Sequence, residues 1–391
     1  MTMPPIRTIT LGLADAHPLA SVAIERAAAI LDHARQTYEE AGYEVQTVRL
    51  STRPVFDDLA DWSAADILKY AQALQRMLDD AGLNFCSLGP FNAVPYYAPV
   101  ERIELIADML IATTALNAAV LTSSGEYGAN NAAPLTARVI QRLAQETGEG
   151  SGNFRFAMLS QVEPGTPFFP AAYHNGPSSI AIGLQGAGLV ADALRSRNGG
   201  TGIRLSFLSI SSIVKQAVET EGGGIVEIAQ ELAGAHELAF GGIDLSPAPL
   251  GEDSIVAAME QCGYGKFGES GTLTVAAALT TGLRSVDLPT CGYCGLMLPV
   301  LEDATLGRRW EEGLVSIPQL LLYSSVCGTG LDTVPLPGDT DDDTIANILR
   351  DVAALATRLH KPLSARLFPV PGKKRGERTA FTSPYLTNTT V

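Results

Sequence analysis

Gly330-Leu331-Asp332-Thr333-Val334-Pro335-Leu336-Pro337-Gly338 is the stretch on which the reading of the fold turns. Proline has no backbone N–H, so two prolines in alternation hold an extended path and then release the chain from a sheet. The pattern also stands earlier, as Gly242-Ile243-Asp244-Leu245-Ser246-Pro247-Ala248-Pro249, and a shorter version follows as Phe368-Pro369-Val370-Pro371-Gly372. The first two share Gly-x-Asp-x-x-Pro-x-Pro. That duplication predicts two related halves, each presenting an aspartate at the carboxyl end of a strand. In α/β barrels and sheets, ligand sites gather at that end.

Outward from these turns the chain alternates between strand and helix patterns. Residues 6–13 alternate and are rich in β-branched side chains, which predicts a strand. A helix is expected over 20–41, closed by Gly42, and a strand over 43–50. Ser63, with Asp66 three residues on, predicts a capped helix start, and Gly82 its end. Strands at 84–88 and 117–122 and helices after Pro99 and over 132–147 continue the series. The run Thr147-Gly-Glu-Gly-Ser-Gly152 marks a candidate hinge. Beyond it the reading gives strands at 154–159, 179–184, 238–244, 319–326 and 363–368, with helices at 253–261, 271–284 and 341–359. Such alternation predicts an α/β fold with parallel strands and crossover helices, in one large domain over residues 1–391.

Composition limits the function classes. The chain has 391 residues, 46% of them hydrophobic and 18% charged, enough for a sizeable core. A net charge of -15 argues against nucleic acid as a partner. No apolar run has the length of a membrane span, so no membrane partner is expected. Five cysteines in a chain of this length do not make a disulfide framework, and no signal peptide pattern opens the sequence; a cytoplasmic protein is expected. The glycines Gly183, Gly186 and Gly188 reverse the dinucleotide spacing, so no nucleotide cofactor is expected. Asp339-Thr-Asp-Asp-Asp343 lacks the glycine and glutamate of a calcium loop and suits a helix N-terminus instead.

Six residues stand out as site candidates. Asp244 and Asp332 can hold a divalent metal, Mg or Ca, or act as an acid–base pair; equally, both can cap turns. Cys327 precedes a run of small residues and is a candidate nucleophile or acid, with a buried core thiol as the alternative. His174 sits in a Pro- and Phe-rich loop and is a candidate acid–base group. Arg155 is a charge inside an apolar strand pattern and needs a carboxylate partner, from protein or ligand. Lys373 begins the only dense basic run and is a candidate clamp on a ligand's negative group. Cys291-Gly-Tyr-Cys294 is a lone CxxC, a redox pair in a third reading.

Several of these stretches, among them Asn153-Phe-Arg-Phe-Ala157, Pro164-Gly-Thr-Pro-Phe-Phe-Pro-Ala-Ala-Tyr-His174, Cys327-Gly-Thr-Gly-Leu-Asp332 and Phe368-Pro-Val-Pro-Gly-Lys373, resemble the domain-of-unknown-function 711 family. The resemblance runs from about residue 6 to 391. It implies a fold similar to the ten-stranded barrel of glycyl radical enzymes such as pyruvate formate-lyase. Those enzymes carry a radical-bearing glycine in a C-terminal loop, and this chain has no Arg-Val-x-Gly-aromatic segment there. The expectation is therefore a non-radical enzyme acting on a small, anionic metabolite by a lyase, isomerase or hydrolase step, in a chain that can self-associate as a homo-oligomer. The alternative is a non-catalytic ligand-binding regulator on the same barrel.

Overall fold

Ile6–Gly12 is a run of seven buried residues, and such burial requires strands on both sides and packed layers above and below. The computed structural model describes residues 3–95, 98–125, 127–128, 130–198 and 204–391 and meets that requirement. Among the described residues, ten strands form one sheet: β1 Ile6–Gly12, β2 Val48–Ser51, β3 Cys86–Asn92, β4 Leu116–Ser124, β5 Tyr127–Gly128, β6 Phe156–Ser160, β7 Ser179–Leu184, β8 Ala239–Asp244, β9 Gly330–Pro337 and β10 Leu363–Val370. Their order is β8-β7-β1-β2-β3-β4-β6-β10-β9, with β5 paired to β4 outside this path.

Strand direction divides the sheet. β1, β2, β3, β4 and β6 run parallel to one another. At one end β7 is antiparallel to β1, and β8 is parallel to β7. At the other end β10 is antiparallel to β6, and β9 is parallel to β10. The edges are β8 and β9, and no ladder joins them among the described residues. One segment touches both. Thr290 bridges Ile243 of β8, and Pro299 bridges Asp332 of β9, both in parallel.

The two faces of the sheet bury different things. On β10, Ala365 and Leu367 join the main core, which lies under the helices, and so do Leu116, Ala118 and Val120 on β4. Side chains alternate across a strand, so Arg366, Asn117 and Ala119 face the other way. Ala119, Ala157 and Leu159 build a second apolar cluster there with Phe168, Tyr293 and Met297.

The α/β class expected from the alternation holds, and most elements fall where the patterns put them. Ser63 accepts from the Asp66 N–H at the start of helix Ala64–Asp80. Asp341 does the same for helix Asp342–Leu359, so the acidic run is a helix start. Two readings need correction, and one helix was missed. The segment near 319–326 is the helix Ile317–Ser324; a short apolar run does not separate a strand from a buried helix, and Pro318 sits where a first helical turn tolerates it. The Gly-x-Asp-x-x-Pro-x-Pro stretch at 330 is itself strand β9, so Asp332 lies near the strand's start and not at its carboxyl end. Its prolines are tolerated because β9 is an edge. The helix Phe207–Ala235 was not read at all, because three consecutive glycines, 222–224, interrupt its pattern. Gly222 is packed so closely that a Cβ would come within 2.7 Å of Leu288. The candidate hinge at 147–152 falls where the 3₁₀ stretch Gly148–Arg155 is kinked, with φ 55° at Glu149 and 69° at Gly150, and Gly152 donates to the preceding Thr147 Oγ1 at 2.8 Å.

Candidate functional site

The inner face of the sheet carries charge. Arg7 of β1, Arg49 of β2 and Arg366 of β10 are all buried, and Glu302 is buried among them. Arg366 donates through Nε to Asp332 at 2.7 Å and through Nη2 to Glu302 Oε1 at 2.6 Å. Arg7 reaches the other oxygen of Glu302 at 3.1 Å and also donates to Gln46. Burial raises the Glu302 pKa, and Arg366 and Arg7 oppose that rise. A guanidinium on each oxygen favours the carboxylate form of Glu302.

Arg49 differs from the other two. Its Nε donates to Thr47 Oγ1 at 2.9 Å, and it forms no ion pair among the described residues. Its guanidinium lies 5.2 Å from the ring centre of Phe85 and 5.2 Å from that of Phe169. Two aromatic faces hold the charge without neutralising it. Burial, then the nearby Arg7, pushes its pKa down to about 9, so it stays protonated at neutral pH.

These groups line a cavity of about 70 Å³, together with Asn117, Tyr293, Met297 and Ser364. A wider cleft of about 710 Å³ lies beside it and shares Arg7, Arg49, Phe85 and Phe154. The Tyr293 hydroxyl is buried beside Ser364 and makes no hydrogen bond of ordinary geometry among the described residues. Burial raises its pKa, so it is a neutral phenol with a donor to spare.

β9 is irregular at this point. Ala365 pairs with Leu331, but Leu367 pairs with Val334, so β9 carries one extra residue. That bulge contains Asp332 and Thr333, and Thr333 takes φ 40°. A β-branched residue there is strained, and bulges re-aim side chains beside functional sites.

Of the six residues singled out from the sequence, only Asp332 lines the cavity. Asp244 is fully buried but directed elsewhere. Its carboxylate accepts from the Ser246 N–H and hydroxyl, the Tyr293 N–H at 2.8 Å and the Cys294 N–H at 3.1 Å. It caps the turn that carries Tyr293, the alternative that the sequence left open. Gly292 allows this: it has φ 68°, and a Cβ there would run into the Asp244 carboxylate. Asp244 and Asp332 thus do not share the cavity, and among the described residues no group of three or more His, Cys, Asp or Glu is placed to hold a metal.

The others are apart. Cys327 is buried in the main core, where burial raises its thiol pKa, the opposite of an activated nucleophile. His174 turns Nε2 to the carbonyls of Gly176 and Pro177 and packs on Gly12. Arg155 lines the outer cleft, and its partners are the Leu116 and Leu110 carbonyls rather than a carboxylate. Lys373 is half-buried, and its carbonyl accepts from Gly338, which ties the third proline turn to the second. The CxxC thiols are free; burial holds Cys291 well up and Cys294 at about 12, which disfavours thiolate chemistry.

Sequence reading missed Arg7, Arg49, Arg366, Glu302 and Tyr293. A signal existed for the arginines. Ile6-Arg7-Thr8, Val48-Arg49-Leu50 and Ala365-Arg366-Leu367 are charges inside apolar strand patterns, the same criterion that picked out Arg155. Glu302 had none, because it lies in no regular element.

The chain matches the family model described as "Uncharacterised ACR (DUF711)" over residues 2–382. A UPF0210 protein of Desulfovibrio desulfuricans is 30% identical over 407 residues, covering 96% of this chain and 88% of that one. A UPF0210 protein of Pyrobaculum arsenaticum is 30% identical over 366 residues, covering 88% and 78%. Among solved structures, the anaerobic ribonucleotide reductase from Thermotoga maritima, in complex with dATP and CTP, aligns with 92% of this chain and 75% of its own at a TM-score of 0.47 and 9% identity. A likeness at that level carries no argument about chemistry. The family match spans nearly the whole chain and includes every strand of the sheet, so the protein belongs to the DUF711 family.

Proposed function

We propose that the protein is a non-radical enzyme acting on a small anionic metabolite held at Arg49. The observation that carries this is a buried guanidinium, 5.2 Å from the ring centres of both Phe85 and Phe169, that lines a cavity and has no carboxylate partner among the described residues. A buried unpaired charge is costly, and a ligand anion relieves that cost. Asp332 and Glu302 are the carboxylates in the same cavity, and burial raises the Glu302 pKa, which suits it to accept a proton. The Tyr293 phenol is a donor for a ligand oxygen. A lyase or isomerase step suits this set. The surplus of arginines favours an anion over the divalent metal read from the aspartates. In the fold, the segment 289–300 serves as a tenth main strand closing a barrel of two five-stranded halves; its parallel bridges to both edges support this.

A non-catalytic regulator is the second reading, favoured because Glu302 and Asp332 are already engaged by arginines. The test is thermal unfolding with a panel of small carboxylates and phosphates, followed by mass spectrometry of each stabilising compound after incubation. Wild type is expected to gain several degrees with its ligand, Arg49→Met to gain none, and Lys373→Ala to match wild type. Chemical conversion of the ligand supports the enzyme, and unchanged ligand supports the regulator. Equal stabilisation of wild type and Arg49→Met refutes the site.

A further inference from the structure

Charge and shape narrow the ligand class further. We infer that the site takes a monocarboxylate whose apolar body extends into the outer cleft; this rests on the anion site at Arg49 proposed above.

The first argument is charge. The cavity is lined by three arginines, Arg7, Arg49 and Arg366, and by two carboxylates, Glu302 and Asp332. Both carboxylates are engaged by Arg7 or Arg366, and the remaining lining side chains, such as Asn117, Tyr293 and Ser364, are neutral. The surplus is one positive charge. A single negative charge neutralises it, whereas a phosphate monoester brings about two and leaves the buried centre negative.

The second is geometry. Arg49 spends Nε on Thr47, and the Phe85 and Phe169 rings lie against its guanidinium, each 5.2 Å from ring centre to guanidinium carbon. What remains is the edge carrying Nη1 and Nη2. Two parallel N–H groups on that edge match the two oxygens of a carboxylate.

The third is size and polarity. The inner cavity, about 70 Å³, has room for a head group and little more. The adjoining cleft, about 710 Å³, starts at Arg49 and Phe85 and is walled further out by Leu250, Phe381, Tyr385 and Leu386. A ligand anchored at Arg49 therefore meets apolar surface as it lengthens.

The experiment is calorimetric titration of the full chain with acetate, butyrate and hexanoate, then adipate, inorganic phosphate and hexanamide. Affinity is expected to rise about fourfold per methylene along the monocarboxylates. Adipate and phosphate are expected at least tenfold weaker than hexanoate, with no binding of hexanamide. Leu250→Ser is expected to flatten the chain-length gain and leave acetate unchanged. Arg49→Lys keeps the charge without the fork and is expected to weaken every monocarboxylate about tenfold; it stands in for Arg49→Met if that variant does not fold. Phosphate or adipate binding more tightly than hexanoate, or an affinity indifferent to chain length, overturns the inference and leaves the anion site standing. Absence of binding by every anion overturns the anion site itself.

Discussion

At the scale of single residues, the site shows how a side chain's neighbours decide its chemistry. Two aspartates in the same sequence pattern have different fates. Asp244 meets four donors on a tight turn and is consumed by them. Asp332 sits on a bulge and meets Arg366. Sequence identity of the motif was legible, but the residue three positions past each aspartate does not reveal which backbone will bend toward it. Thr333, next to Asp332, offers a test of the local structure. Its buried hydroxyl has no hydrogen-bond partner among the described residues, an arrangement that costs about 1–3 kcal/mol. Thr333→Val keeps the branched shape and removes the orphan group, so urea denaturation is expected to show equal or greater stability. A loss above about 1 kcal/mol would mean that the hydroxyl has a partner.

At the scale of elements, the helix starts were the most legible features, because a cap is a local interaction between residues three apart. Ser63 and Asp341 were readable for that reason. Asp303 was not, since its role depends on contacts across the fold. It caps helix Ala304–Glu311 through the Leu306 N–H at 2.9 Å, and also accepts from the Ser254 hydroxyl at 2.6 Å and the Val256 N–H at 3.3 Å at the start of helix Ile255–Glu260. One carboxylate thus fastens two helix starts. Asp303→Ala is expected to cost more than about 2 kcal/mol in urea denaturation, beyond the usual loss of a single cap. His17 ties the residue after β2 to helix Ala64–Asp80 in a similar way. It is buried and contacts Tyr70 at 2.6 Å and Thr52 at 2.9 Å. Burial lowers its pKa from 6.5 to about 4. A depressed pKa gives stability that is complete above pH 6.5 and falls as pH drops toward 4, by on the order of 3 kcal/mol. His17→Gln is expected to lack this component, seen as a flatter profile of unfolding midpoint against pH across that window.

At the scale of the whole molecule, alternation of strand and helix revealed the class, and the paired proline turns pointed to the two edge strands of the sheet. What alternation cannot reveal is which strands become edges, because order in a sheet is set by crossovers rather than by composition. The joining segment 289–300 was opaque for a related reason: it contains no periodic strand pattern, yet it reaches β8 and β9 and delivers Tyr293 to the cavity. Gly292→Ala places a methyl group against the Asp244 carboxylate. It is expected to lower the unfolding midpoint and to remove stabilisation by anions together, and loss of only one of the two would separate the joint from the site.

That joint has a consequence for motion. At each end of the segment the contact is a bridge or two of backbone hydrogen bonds, Ile243 to Pro289, Cys291 to Ile243 and Val300 to Asp332, where the neighbouring strands have full ladders. Amides at such a seam open at lower free energy than those of the ladders, so in native-state hydrogen exchange Cys291 and Val300 trade protons before Ile9 and Leu11 do. A ligand that spans Arg49 and Tyr293 holds the two sides of the seam together. Under the proposed function, binding is therefore expected to slow exchange at Cys291 and Val300, backbone positions outside the lining of the cavity.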